Sequence, residues 1–318
     1  MQVLFTSIDD LDNDYKCKHD DETKLPSTVS CILSQVYAGR TVKFLRLFLY
    51  LLLLAILAHV IAYALFFDVA TFWKDAAIVK SNSVDAVVTI ATGKYSATRL
   101  ISTLRKAGRF DRPIYVVTDD PDVVESHGAI PLLVHDFEPS FESDEKRANW
   151  ENSKIAKVKW YKTQIFNMLP EESNTVLFLD ADVEIHKSLA PFEIKVASYK
   201  ETLTSTKCTS YCFKERLDSE DSYNSGTCVY FRDASSELLH EWGREILTGA
   251  HIRDQLALDA TLKRTGLKMC NLPSKMHYYT AATWWTWFGN VLSGGQMQRH
   301  AIFVHATSHK SLRHMASE

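Results

Sequence analysis

This 318-residue chain has no basic excess: 36 lysines and arginines stand against 39 aspartates and glutamates, giving a net charge of -3. It therefore lacks the positive field that neutralises a nucleic-acid backbone, and nucleic acid is not the expected partner. Any nucleotide held here is expected to be a small one carried with a metal. No internal repeat or low-complexity tract is present, which leaves a globular domain with room for an anchor and a tail. No Asn-x-Ser/Thr sequon occurs, so glycosylation sites say nothing about topology. Charge is missing from one long stretch altogether, Leu47 to Phe67, where His59 is the single residue of Asp, Glu, Lys, Arg or His type.

As a helix rising ~1.5 Å per residue, that run would reach roughly 30 Å, the thickness of a bilayer's hydrocarbon core. A buried helix of this length in a soluble protein would carry a polar stripe, and none is seen. A cleavable signal peptide is the other alternative, since Ala62 and Ala64 form a small-residue pair, but the run is too long and follows too many residues. An uncleaved anchor is expected. Arg40, Lys43 and Arg46 precede it, whereas the charges that follow, Asp68, Lys74, Asp75 and Lys80, carry no positive excess. The positive-inside rule then puts the N-terminus in the cytosol and the bulk of the chain in a lumen. The expected organisation is an Asp-rich disordered tail at 1–42, a transmembrane signal anchor at 43–67, a short stem at 68–83 and a lumenal domain at 84–318. Cys17 and Cys31 fall in the tail. Cys208, Cys212, Cys228 and Cys270 fall in the lumenal part, where more than one disulfide connectivity is open; a free buried thiol is the alternative for Cys228, in an apolar run.

From Val84 onward the apolar pattern alternates between periods. Asp85–Ile90 reads as a buried strand, Ser96–Ala107 as a helix with Leu100, Ile101, Leu104 and Ala107 on one face, and Ile114–Thr118 as a second strand. A short helix over Asp122–His127, a strand at Pro131–Val134, a charged loop from Phe137 to Asn152, a helix over Ser153–Leu169 and a strand at Thr175–Leu179 follow. Gly226–Arg232 reads as a strand, Ser235–Leu247 and Arg253–Arg264 as helices, and Ala301–Val304 as a last short strand. This succession predicts an open α/β sheet with ligands at the strand carboxyl ends. No pattern is legible between Lys200 and Tyr223.

The segment Thr175–Asp182 carries the chemistry: an apolar strand, Thr-Val-Leu-Phe-Leu, delivers Asp180-Ala181-Asp182 to the sheet's edge. Two carboxylates two residues apart repel each other, and a divalent cation removes that penalty. Such a cation also bridges a nucleotide diphosphate and neutralises the charge that builds on it as a sugar departs. Alone, Asp-x-Asp is as often a solvated turn or helix cap. The apolar strand before it is what favours the metal.

The order of motifs resembles the glycogenin-like (family 8) retaining glycosyltransferases, which have the GT-A nucleotide-diphospho-sugar transferase fold, over about Val84 to Lys310. The resemblance implies nucleotide contacts from Ala91, Thr92 and Tyr95, and a phosphate contact from Lys162. It further implies metal ligation by Asp180, Asp182 and His305 and a donor-sugar lining from Asn224-Ser225-Gly226. Asp254-Gln255 would lie close to the transferred sugar. Each residue alone has a plainer reading. Lys162 could be a helix-surface lysine like Lys154, Lys157 and Lys159, and Asn224-Ser225-Gly226 a turn. Asp254 could be a charge favoured near a helix N-terminus, and His305 one of several exposed C-terminal histidines including His300, His309 and His314. After the terminal histidine the family shows a glycine and then Lys-Pro-Trp, whereas here His305 is followed by Ala-Thr-Ser-His-Lys310, which puts a Lys310–diphosphate contact in doubt.

The aromatic group Tyr278, Tyr279, Trp284, Trp285, Trp287 and Phe288 could stack on acceptor sugars or fill a core, and Ser293-Gly294-Gly295 reads as a loop over the site. The resulting expectation is an α/β GT-A enzyme, a single-pass type II protein of the Golgi or endoplasmic reticulum. It would use Mn2+ (or Mg2+) to move a sugar from a nucleoside diphosphate sugar to a glycan, protein or lipid acceptor. If it inverts configuration, Asp254 or Asp259 would act as general base. A metal-dependent nucleotidyltransferase or phosphohydrolase and a non-catalytic sugar-binding protein are the rival readings.

Overall fold

Residues 42–61 and, with interruptions, 83–305 are described by the computed structural model; the interruptions are 94, 138, 140–142, 144–146, 148–153, 218–219, 252, 273–277, 281–286, 289 and 292–293. The expected tail up to residue 41, residues 62–67 of the expected anchor, the expected stem up to residue 82, Trp284, Trp285, Ser293, His309, Lys310 and His314 lie outside the described residues. The chain divides into two units at Ile61. In the first, the apolar run forms helix α1, Val42–Ile61, which is long and apolar enough to cross a membrane. It begins five residues before the uncharged run, so Lys43 and Arg46 are on the helix itself.

The second unit is built on a seven-stranded mixed sheet flanked by helices. Its strands are β1 (Ala86–Ala91), β2 (Ile114–Thr118), β3 (Ile130–Leu133), β4 (Thr175–Leu179), β6 (Ser210–Leu217), β7 (Glu220–Phe231) and β8 (Met269–Asn271). They lie in the order β3-β2-β1-β4-β7-β6-β8. β1, β2, β3 and β4 pair in parallel, while β7 runs antiparallel to both β4 and β6. Every residue of β1, β2 and β4 is buried, as strands covered on both faces must be.

Alternation along β1 divides the interior. Val87 and Ala91 face one core with Leu100, Ile101 and Leu104 of α2 (Thr98–Lys106). Ala86, Val88 and Ile90 face the other. Helices α4 (Lys154–Thr163), α5 (Ile165–Met168), α7 (Arg232–Leu247) and α8 (Asp254–Thr265) supply that second core through Tyr161, Ile165, Leu238, Trp242 and Leu258. α3 (Pro121–Ser126) starts on Pro121, with Asp120 capping Val123 N at 3.4 Å. α6 (Ala190–Thr206) packs Phe192 and Val196 into the first core. A smaller sheet, in the order β5-β10-β9, joins Val183–Ile185 (β5), Tyr278–Thr280 (β9) and Phe303–His305 (β10). α9 (Gln296–His300) leads into β10.

Three expectations need correction. The helix expected over Ser153–Leu169 is two helices. Gln164 N turns to the carbonyl of Tyr161 at 3.1 Å, and Thr163 Oγ1 donates to Trp160 O at 2.7 Å, tightening and ending the first. The strand expected from Gly226 begins at Glu220 and pairs with β6, which occupies the stretch that showed no pattern. Cys228 is not a free thiol. It is bonded to Cys212 directly across the β6–β7 ladder, and Cys208 is bonded to Cys270.

Candidate active site

β1 and β4 are parallel neighbours, with Val88 opposite Phe178, so Ala91 and Asp180 emerge at the same edge of the sheet. β2 continues the sheet on one side of this pair and the antiparallel β7 on the other, which makes the edge a crevice where connections diverge.

The β1 side carries the loop Ala91–Tyr95. Ala91 is buried, Thr92 half-buried and Tyr95 exposed. Gly93 adopts φ +65°, a conformation glycine adopts readily, and its N–H donates to both oxygens of Asp119 at 3.1 and 2.9 Å. Asp119 stands just past β2 and was missed in the sequence. The signal that flagged Asp180, an acidic residue ending an apolar strand, could have found it.

The β4 side ends at Asp180, whose N–H donates to Gly226 O at 2.8 Å and whose carbonyl accepts from Val183 N at 3.0 Å. This turn starts β5, and β10 pairs with β5 so that His305 lies opposite Val183. His305 Nε2 is thereby brought 3.0 Å from Asp182 Oδ1. Asp180, Asp182 and His305 each offer one ligand atom, all within 4.8 Å of one another. Two carboxylate oxygens and an imidazole nitrogen form a donor set that suits a borderline divalent cation. Burial would raise the Asp182 carboxyl, but hydrogen bonding and charge from His305 outweigh it and hold it below its ordinary value. Ala181, half-buried, packs on the first core.

Behind this group lies a charge cluster built on a buried lysine. Lys162 Nζ is 2.8 Å from Asp180 Oδ1, 2.7 Å from Asp254 Oδ2 and 3.4 Å from Ser225 Oγ. Lys162 is no surface lysine: it is 5 % exposed. Burial alone would discharge it, but the two carboxylates reverse that and raise its pKa above the ordinary lysine value. Burial likewise works against the Asp254 carboxylate, and Lys162, with a 2.8 Å hydrogen bond from Ser225 Oγ, brings it down to about 2. Asp254 begins α8 and its carbonyl accepts Trp242 Nε1 at 3.2 Å, which ties the helix start to the core. Gln255, half-buried, donates to Tyr223 O at 3.4 Å.

β7 supplies the wall. Asn224 and Ser225 are buried, and Asn224 Oδ1 accepts Gly226 N at 2.8 Å. A side chain at 226 has no room: a Cβ there would overlap the Asp180 carboxylate and lie 3.0 Å from Asn224 Oδ1. Tyr278 is not an exposed sugar platform. It is buried, stacked on Phe213 with ring centroids 4.5 Å apart, and its hydroxyl meets both Asn224 Nδ2 at 2.9 Å and His305 Nδ1 at 2.7 Å. The structure thus assembles Lys162, Asp180, Asp182, Asn224, Ser225, Gly226, Asp254 and His305 around one edge, with Ala91 on the adjoining strand.

The cation-suited donor set and the buried lysine lie at the carboxyl edge of the sheet, where open α/β folds bind their ligands. Residues 114–314 match the nucleotide-diphospho-sugar transferases, and the chain belongs to that family. It is a glycosyltransferase with the GT-A type of mixed sheet. No curated protein matches it. Solved structures similar to it include mouse xyloside xylosyltransferase 1 in its apo form, with 12% identity, 70% of this chain, 97% of that one and TM-score 0.45. The galactosyltransferase LgtC with donor and acceptor sugar analogs shows 13% identity, 70% and 87% coverage and TM-score 0.45. GlyE of Streptococcus pneumoniae TIGR4 shows 14%, 72%, 55% and 0.47.

Proposed function

We propose that this glycosyltransferase is Mn2+-dependent and retaining, and that it moves a sugar from a nucleoside diphosphate donor to a glycan, protein or lipid acceptor. The observation that carries the reading is the convergence of Asp180, Asp182 and His305 within 4.8 Å, beside the Lys162–Asp254 pair. These three residues would hold the cation, which supplies charge neutralisation at the diphosphate. Lys162 adds a fixed positive charge near the leaving phosphate, held in place by its two carboxylates. Asn224, Ser225, Gly226, Asp254 and Gln255 orient the donor sugar, and Ala91, Thr92 and Tyr95 take the nucleotide. Retention rests on the family 8 resemblance. Helix α1 serves as a type II anchor in the Golgi or endoplasmic reticulum, and the two disulfides fit a lumenal domain.

The test is to incubate the full chain in detergent with a panel of nucleotide sugars and Mn2+, with and without chelator. Metal-dependent release of a nucleoside diphosphate is expected, abolished by Asp180→Asn and by Asp182→Asn. Failure with every donor, or turnover indifferent to chelator, would sink the reading.

A further inference from the structure

Resting on the metal assignment above, we infer that Tyr278 is the positioning residue that aims His305 into the cation site, and that metal binding reverses the direction of the hydrogen bond between them. Four contacts link five groups in one chain: Gly226 N to Asn224 Oδ1 at 2.8 Å, Asn224 Nδ2 to Tyr278 Oη at 2.9 Å, Tyr278 Oη to His305 Nδ1 at 2.7 Å, and His305 Nε2 to Asp182 Oδ1 at 3.0 Å.

Donor and acceptor rules fix most of it. A backbone N–H can only donate, so the atom of Asn224 facing Gly226 is the oxygen, and its NH2 faces Tyr278. Tyr278 Oη therefore accepts from Asn224 and keeps its own proton for another partner. At the far end, an ionised Asp182 only accepts, so without metal Nε2 carries a proton toward it. In the neutral ring Nδ1 then accepts the Tyr278 proton.

A cation bound through Nε2 needs the lone pair at that nitrogen, so the proton of the neutral ring must reside on Nδ1. Nδ1–H then donates to Tyr278 Oη, which receives a second donor beside Asn224 and has the two lone pairs to do so. The tyrosine proton rotates aside. Tyr278 thus supplies a partner in both states, which neither Phe nor a fixed carbonyl could do, and its ring is clamped for the purpose against Phe213. The same hydroxyl joins the proposed sugar wall on β7 to the proposed metal group, so Asn224 and His305 are held in one frame.

The experiment titrates Mn2+ alone into the full chain in detergent, reading free Mn2+ by its EPR signal, for wild type, Tyr278→Phe and His305→Ala. Thermal unfolding of each is recorded without metal. Loss of the orienting partner is expected to weaken Mn2+ binding by about tenfold to a hundredfold in Tyr278→Phe. The metal-free unfolding temperature registers the lost Asn224 contact separately. Wild-type affinity in Tyr278→Phe alongside weakened affinity in His305→Ala would overturn the positioning role and leave the metal site standing. Wild-type affinity in His305→Ala would overturn the ligand assignment and this inference with it. A second measurement needs no Tyr278 variant: 15N NMR of histidine-labelled wild type with Zn2+ as a diamagnetic probe, His305 being assigned by its absence in His305→Ala. A protonated Nδ1 with metal on Nε2 is expected. An unprotonated Nδ1 would overturn the inference.

Discussion

Gly226 lies against Asp180 so closely that its hydrogen is the largest substituent the site admits: its carbonyl holds the Asp180 N–H at 2.8 Å while its Cα faces the carboxylate. Gly226→Ala would drive a methyl group into that carboxylate and toward Asn224 Oδ1. Overpacking of this kind costs about 1–3 kcal/mol. A displacement of Asp180 near 1 Å would reduce turnover on the order of a hundredfold. Activity falling far more than stability is the expected outcome, read from kcat and urea unfolding on the same preparation; unchanged kcat would contradict the close approach.

Lys162, itself buried, neutralises two half-buried carboxylates at once, so its removal leaves both uncompensated. Lys162→Met keeps the stem and deletes the charge, and is expected to destabilise the fold by about 3–5 kcal/mol. Adding Asp254→Asn should restore part of that loss, giving a coupling energy well away from zero in a double-mutant cycle. Strict additivity would show that the pair is not coupled.

The depressed Asp254 carboxyl ties stability to acid. Its folded value of about 2 lies below the ordinary 3.8, so the charged form is favoured in the folded chain. Its contribution is therefore complete above pH ~4 and lost as pH falls through about 2, amounting to roughly 2 kcal/mol at ~1.4 kcal/mol per unit. Urea unfolding of wild type and Asp254→Asn at pH 5 and near pH 2 is expected to show their difference shrinking by that amount. A difference independent of pH would refute the assignment.

Reduction should separate the two disulfides by the chain they enclose. Cys208 and Cys270 are 62 residues apart, Cys212 and Cys228 only 16. Loop-closure entropy gives about 4 kcal/mol for the first and about 3 for the second. Paired Cys→Ala variants, compared by thermal unfolding, are expected to lose stability in that order.

The parallel half of the sheet was legible because β1, β2 and β4 are buried on both faces and so are written as unbroken apolar runs. That is also why Asp180 stood out. The antiparallel half was not legible. β6 and the first half of β7 are rich in charged and polar residues from Lys214 to Asp221, and such a hairpin shows neither strand alternation nor an apolar run. β5, β8, β9 and β10 have three residues each, too few for any period. Lys162 and His305 illustrate the same limit from the site's side. Neither differs in sequence from neighbouring lysines or histidines, and only burial between two carboxylates and pairing with β5 set them apart. Tyr278 was visible as an aromatic, but the partner of its hydroxyl is a tertiary fact.

The pairing of β10 with β5 has a consequence for how the enzyme comes into being. Asp182 and His305 meet only because the last described strand closes on a strand formed more than a hundred residues earlier. During synthesis, the sheet from β1 to β8 has its strands before the histidine has been made. A chain stopped before β10 would keep the strands of the seven-stranded sheet and lack the histidine of the proposed metal group, so that group is complete only once β10 has closed on β5.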